Sequence, residues 1–163
     1  RHMQNGFEEI SHTADTGIRA RAATLSGVLE QAAEGMFSLI LPRPPALVAS
    51  GSEELRFSAR TGEELLHALL SELLYLHGIR RSIPVDYVLS AVAPCHDEDA
   101  AVTDSENLEA TGSKLWRCEV TCTYAEMTRY MQVQATEIKA VTWHGLTLRF
   151  DNDRCQAEVI FDT

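Results

Sequence analysis

Two short groups of residues carry side chains that could bind or activate something. His12 and Asp15 stand three apart in Ser11-His12-Thr13-Ala14-Asp15-Thr16, a polar turn between two apolar runs, and a compact turn would bring both side chains to one point. The same spacing also suits an ordinary turn, with Asp15 capping toward Gly17 and His12 bonded to nearby backbone. At the other end of the chain Ala157, Val159 and Phe161 share one side of a strand and leave Asp162 beside Thr163, the last residue. An aspartate next to a terminal carboxylate gathers hard oxygens. If Asp15 joined Asp162 and the carboxylate of Thr163, three anionic donors would surround one point, an arrangement that is unstable without a cation. Oxygen donors alone suit Ca²⁺ or Mg²⁺, whereas adding His12 moves the preference toward Zn²⁺ or Mn²⁺. The plainer alternative is a solvated, frayed terminus.

A third group is Lys139, Thr142 and His144 in Glu137-Ile138-Lys139-Ala140-Val141-Thr142-Trp143-His144. Read as a strand, it places Lys139, Val141 and Trp143 on one face and Ile138, Ala140, Thr142 and His144 on the other. Lysine and histidine then act together only across a bulge. His144 is the better site candidate, with packing beside Gly145 at a strand end as the alternative. His67 and His77 lie on a leucine-rich helix and His96 in an acidic stretch, where structural or solvated roles are expected.

Several chemistries lack their residues. There is no G-x-x-x-x-G-K-[ST] phosphate loop, G-x-G-x-x-G fingerprint, G-x-S-x-G elbow or H-E-x-x-H helix. Cys95, Cys118, Cys122 and Cys155 contain no C-x-x-C pair, and Cys118 and Cys122 are spaced to share one face of a strand, so buried thiols are expected there rather than zinc. A formal net charge of -10 repels phosphate backbones, and no basic stripe with interleaved aromatics is present, which argues against direct, tight RNA binding.

The elements that must position these residues follow from periodicity. With 163 residues, 45% of them hydrophobic, the chain fits one domain with a real core. Arg1-His2-Met3 reads as a cloning scar ending in the initiating methionine, and 4–163 as a single domain. The pattern predicts strands at 7–10 and 18–22, a helix capped by Thr24 and ending before Pro42, and a strand at 53–59. Thr61-Gly62-Glu63-Glu64 has capping-box spacing and opens a second, leucine-rich helix with its stop near Gly78. A strand over 85–92 leads into an acidic loop at 94–113, and further strands are expected at 116–123, 130–136, 137–143, 146–150 and 156–161. No 18-residue apolar span or secretory leader is visible, so a cytoplasmic protein is expected. The fold class is α+β: two helices packed on one face of a mixed, largely antiparallel β-sheet.

Taken together, these segments resemble the archease family. His12-Thr13-Ala14-Asp15-Thr16-Gly17-Ile18 is similar to its opening H-x-A-D-x-G-I, and Ala32-Ala33-Glu34-Gly35-Met36-Phe37 to its first helix. Leu65-Leu66 through Glu72-Leu73-Leu74-Tyr75-Leu76 resembles its second helix, 137–144 its E-[VI]-K-A-[VI]-T-[YW]-H block, and Val159-Ile160-Phe161-Asp162 its ending. The resemblance spans nearly the whole chain in order. It departs in the length of the acidic loop and at Thr123-Tyr124-Ala125-Glu126, where a glycine turn is common.

The resemblance implies a non-catalytic accessory protein that activates an RtcB-type RNA ligase in tRNA splicing and RNA repair. It implies a divalent metal, Ca²⁺ first with Mg²⁺, Mn²⁺ or Zn²⁺ as alternatives, held by Asp15, Asp162 and Thr163. His12, His144 and Lys139 would stand nearby as outer partners or an additional ligand. GTP and RNA would be met through the ligase, whose active-site histidine attacks GTP, and no membrane would be involved. Two other functions stand beside this one: from the residues, a small metal-dependent hydrolase using His12, Asp15, His144 and Asp162, and, from the family resemblance, a chaperone-like modulator of RNA-modifying enzymes.

Overall fold

The computed structural model describes residues 5–12, 15–42, 46–94, 114–151 and 153–163, with His12 described by its backbone. The expected scar at 1–3, Cys95, His96 and nearly all of the acidic loop lie outside the described residues.

The chain opens with a tight antiparallel hairpin, β1 (Gly6–His12) and β2 (Asp15–Ala22). The ladder runs farther into the segment expected to be a turn, continuing until His12 pairs with Asp15. Helix α1 (Leu25–Ile40) starts where expected: the Thr24 hydroxyl accepts the Gly27 N–H at 2.9 Å. It ends with Leu41 N–H on the Phe37 carbonyl at 2.9 Å, just before Pro42 removes the next donor. Strand β3 (Gly51–Ala59) leads to α2 (Gly62–Arg80). Thr61 accepts the Glu64 N–H at 3.1 Å while the Glu64 carboxylate reaches back to the Arg60 N–H at 3.1 Å, so the box closes one residue earlier than the standard pattern. The helix passes Gly78 and stops where Arg81 takes the left-handed conformation at φ 49°.

Strands β4 (Ser82–Val92) and β5 (Trp116–Glu126) follow. The expected strand over 130–136 is a short helix, α3 (Arg129–Gln134). Tyr130 and Val133 suggested a strand, but the Thr128 hydroxyl caps the Met131 N–H at 3.1 Å and only Met131 is buried, leaving Tyr130 and Val133 exposed. The expected strand over 137–143 shortens to β6 (Ala140–Val141). Ile138 and Val141 are both buried, a spacing that strict alternation forbids, and Thr136 N–H is tied to the Ile40 carbonyl at the end of α1. Strands β7 (Thr147–Phe150) and β8 (Cys155–Asp162) complete the chain.

The α+β class holds, with the strands divided between two antiparallel sheets rather than gathered in one. The first runs β1-β2-β8-β6, with β7 also on β8; the second runs β3-β5-β4. Both helices touch strands of both sheets. Each therefore needs a wide apolar surface, which α2 supplies through Leu65, Leu66, Leu69, Leu70 and Leu73. Ile18, Ala20, Ala157, Val159 and Phe161 face them from the first sheet, and Cys118, Val120 and Cys122 from the second. Among the described residues no helix is long and apolar enough to cross a membrane.

Candidate functional site at the end of the first sheet

Register, rather than sequence distance, decides which candidates meet. His12 pairs with Asp15 across the hairpin, and Thr16 pairs with Phe161 across β2 and β8, so one further step sets Asp15 opposite Asp162. Asp162 pairs in turn with Ala140, and its carbonyl accepts the Lys139 N–H at 2.7 Å. Four strands thus present His12, Asp15, Asp162 and Ala140 in one row at the end of the sheet.

Strand alternation sets the faces. Ile18, Ala20 and Ala22 on β2 and Ala157, Val159 and Phe161 on β8 are buried toward the helices, so Asp15 and Asp162 belong to the opposite, outer face, where both are exposed. Acidic groups farther along that face are matched. Arg19 donates to Glu158 at 2.7 Å and to Glu8 at 3.1 Å, and Arg21 lies 3.4 Å from Glu8. The Glu158 hydrogen bond, then that of Glu8, raises the Arg19 pKa. Neither Asp15 nor Asp162 forms an ion pair with a described residue. Two like charges directly opposite in a ladder repel, and a divalent cation is the simplest group that removes the repulsion. The donor chemistry therefore fits a hard cation on the oxygens. Among the described residues no three His, Cys, Asp or Glu side chains gather to hold a metal, so a complete set needs the His12 imidazole, the Thr163 oxygens or water.

The remaining candidates divide around this row. Thr163 is exposed and borders a cavity of about 310 Å³ on the inner side, with Thr16, Ser38, Thr136 and Ile138. Lys139 lines a groove of about 540 Å³ between α2 and β6, beside His67 and Ile79, rather than the outer face. His144 is exposed in the turn after β6, which closes through Gly145 at φ 67° and through Thr142, whose N–H and hydroxyl both donate to the Ile160 carbonyl at 3.1 and 2.8 Å. The expected strand alternation of lysine and histidine does not apply, because Lys139 and His144 both lie outside the two-residue β6.

Among the described residues the cysteines, Cys118, Cys122 and Cys155, are free and buried. Burial pushes the Cys118 thiol up to about 12 and that of Cys122 to about 11, so both stay protonated near neutrality. They share the inner face of β5, as their spacing suggested.

Comparison with known proteins is decisive at this point: residues 7–163 match the model of the Archease protein family. The chain belongs to the archease family. Protein archease of Methanopyrus kandleri is 27% identical over 158 residues, covering 96% of this chain and 98% of the relative. Protein archease of Methanosarcina acetivorans is 30% identical over 156 residues, covering 96% and 94%. The solution structure of a Methanobacterium thermoautotrophicum protein superposes with a TM-score of 0.71 at 23% identity, covering 97% of this chain and 99% of that one. The crystal structure of a Thermotoga maritima archease, described as a possible chaperone, gives 0.57 at 19% identity, covering 100% and 99%. These structures share the archease fold seen here, helices with two sets of mostly antiparallel strands.

His67, for which a structural or solvated role was expected, makes structural contacts, with the Val141 carbonyl at 2.9 Å and stacked on Trp143, and their location next to Ala140 was not foreseen. The available signal was the i, i+4, i+8 recurrence of Glu63, His67 and Ser71 along an otherwise leucine-rich helix, which sets a polar line on one side of it.

Proposed function

We propose that this archease-family chain activates an RtcB-type RNA ligase through a divalent cation held at the end of the first sheet by Asp15, Asp162 and Thr163. The observation that carries the reading is the β2–β8 register, which, carried one step past its last pair, Thr16 with Phe161, sets Asp15 toward Asp162 on the outer face, while the other acids of that face near it are bonded to arginine. His12 stands next in the row by backbone register and His144 follows β6, and in this reading they are the candidates for an additional ligand or an outer hydrogen bond. Lys139 contributes its backbone N–H to Asp162 and its side chain to the neighbouring groove.

In this reading the archease chain supplies placement and charge, and the bond-making stays on the ligase. A bound divalent cation, Ca²⁺ or one of the alternatives Mg²⁺, Mn²⁺ and Zn²⁺, would offset charge on phosphoryl oxygens. Asp15 and Asp162 would hold it at an exposed sheet end that can approach a partner's nucleotide pocket, where the ligase histidine attacks GTP. GTP and RNA are met through the ligase, in keeping with a net charge of -10 on the accessory chain.

The test is multiple-turnover RNA ligation by the cognate ligase with GTP and Mn²⁺, with wild type, Asp162→Ala or no added chain. Strong stimulation by wild type, reduced by Asp162→Ala at least about tenfold as for lost metal ligation, is expected. A wild-type chain that leaves turnover unchanged contradicts the reading. Stimulation undiminished in Asp162→Ala removes the carboxylate from it.

A further inference from the structure

The polar side of α2 contacts the chain on both sides of the turn after β6. Glu63, His67 and Ser71, all half-buried, recur one turn apart on a helix whose buried positions after Gly62 are leucine. Glu63 accepts the Leu148 N–H at 3.3 Å, at the start of β7. The His67 Nε2–H donates to the Val141 carbonyl at 2.9 Å, in β6, which leaves Nδ1 to accept the Ser71 hydroxyl at 3.3 Å. The His67 ring also stacks on Trp143, centroids 3.8 Å apart and planes within 8°. One face of α2 therefore grips the chain on both sides of the turn that carries His144.

That grip adds to the ties that β6 has to β8 at its two ends, Lys139 N–H on the Asp162 carbonyl and Thr142 N–H and hydroxyl on the Ile160 carbonyl. The strand is two residues long, at the edge of its sheet, and it pairs through Ala140 with Asp162 and through Val141 with Phe161. A two-residue edge strand is too short to fix its own register. The Val141 carbonyl would turn to solvent without its donor on α2. We propose that His67 is a positioning residue: its Nε2–H on the Val141 carbonyl sets β6 against Asp162 and so fixes Lys139 and His144 relative to the acidic row. The helix was chosen by sequence for its leucines, and one polar line on it governs the site. This inference deepens the proposed ligase activation and, for its functional arm, rests on that reading.

Two replacements separate the hydrogen bond from ring packing. His67→Gln keeps an N–H at a comparable reach and gives up the stack on Trp143; His67→Phe keeps a ring and gives up the N–H. Amide hydrogen exchange of the full chain reads the position of β6 directly, through Lys139 N–H on Asp162 and Thr142 N–H on Ile160. In His67→Phe both amides are expected to exchange at least about tenfold faster, with Ile18 in the sheet centre unchanged, and ligase stimulation to fall on the order of tenfold. In His67→Gln both readouts are expected to stay within about threefold of wild type. Wild-type exchange in His67→Phe overturns the proposal, and so does equal acceleration in both variants, which would assign the effect to packing. If the wild-type chain fails to stimulate the ligase, the activation reading falls while the exchange arm still decides the positioning role.

Discussion

The two sheets are built from the same kind of strand and are used differently. The second sheet, β3-β5-β4, keeps long ladders with one register shift, between Pro84 and Asp86: β3 alternates between half-buried and exposed along all nine residues, its inner face carries protonated thiols, and its outer face holds pairs such as Arg56 with Glu119. The first sheet is regular only in its middle, where Arg19 and Arg21 neutralise Glu8 and Glu158. At its end the pattern breaks. The β6 strand is reduced to Ala140–Val141, and the β2–β8 register, carried one step past Thr16 and Phe161, sets Asp15 toward Asp162 on the outer face. The proposed site lies where the first sheet's ladders end, and α2 adds a hydrogen bond to the short strand there.

The largest effect that would sharpen this contrast is at Gly17, between Asp15 and Arg19 on the outer face. A Cβ there would lie 2.5 Å from the Val159 carbonyl oxygen and 2.8 Å from Ile160 Cδ1, so the added atoms meet backbone that cannot swing aside. Gly17→Val is expected to cost about 3 kcal/mol or more in denaturant unfolding, against about 0.5 kcal/mol or less for Thr121→Val on the outer face of β5. Equal costs would mean that the first sheet is no more tightly constrained than the second.

A smaller effect is expected from the thiols of the second sheet. Cys118 and Cys122 have folded pKa values raised by burial to about 12 and about 11 from an ordinary 9.0, so above pH 9 the unfolded chain releases protons that the folded chain keeps. Their contribution is fully present below pH 9 and is lost as pH rises through 11 to 12, at about 1.4 kcal/mol per pH unit for each proton. Stability measured between pH 8 and 11 should fall less steeply in Cys118→Ala/Cys122→Ala than in wild type. Parallel slopes would show that burial of these thiols does not hold their protons.

Much of this arrangement could be read from residue types, and the failures have physical causes. The caps at Thr24 and Thr61 and the leucine stripe of α2 announced both long helices, because capping and helical periodicity are local. The α3 helix was read as a strand because Tyr130 and Val133 favour strands, whereas one hydroxyl cap and a single buried methionine were enough for one and a half turns. Two sheets were read as one since pairing is not local: nothing near Trp116 states that β5 joins β3 and β4, while β8 crosses the chain to β2. At the site, His12, Asp15 and Asp162 stood out by type, but their common row came from registers spanning the whole chain. His67 went unrecognised because a histidine on a leucine helix has no distinguishing spacing until its neighbours four residues away on either side are counted with it.

The claim that the end of the first sheet is a cation site is tested most directly on the isolated chain. Calorimetric titration with Ca²⁺ and with Mn²⁺ is expected to show one saturable site in wild type that weakens at least about tenfold in Asp15→Ala and in Asp162→Ala, with Glu158→Gln unaffected. Wild type that takes up neither ion, or binding that survives the loss of both aspartates, would contradict it.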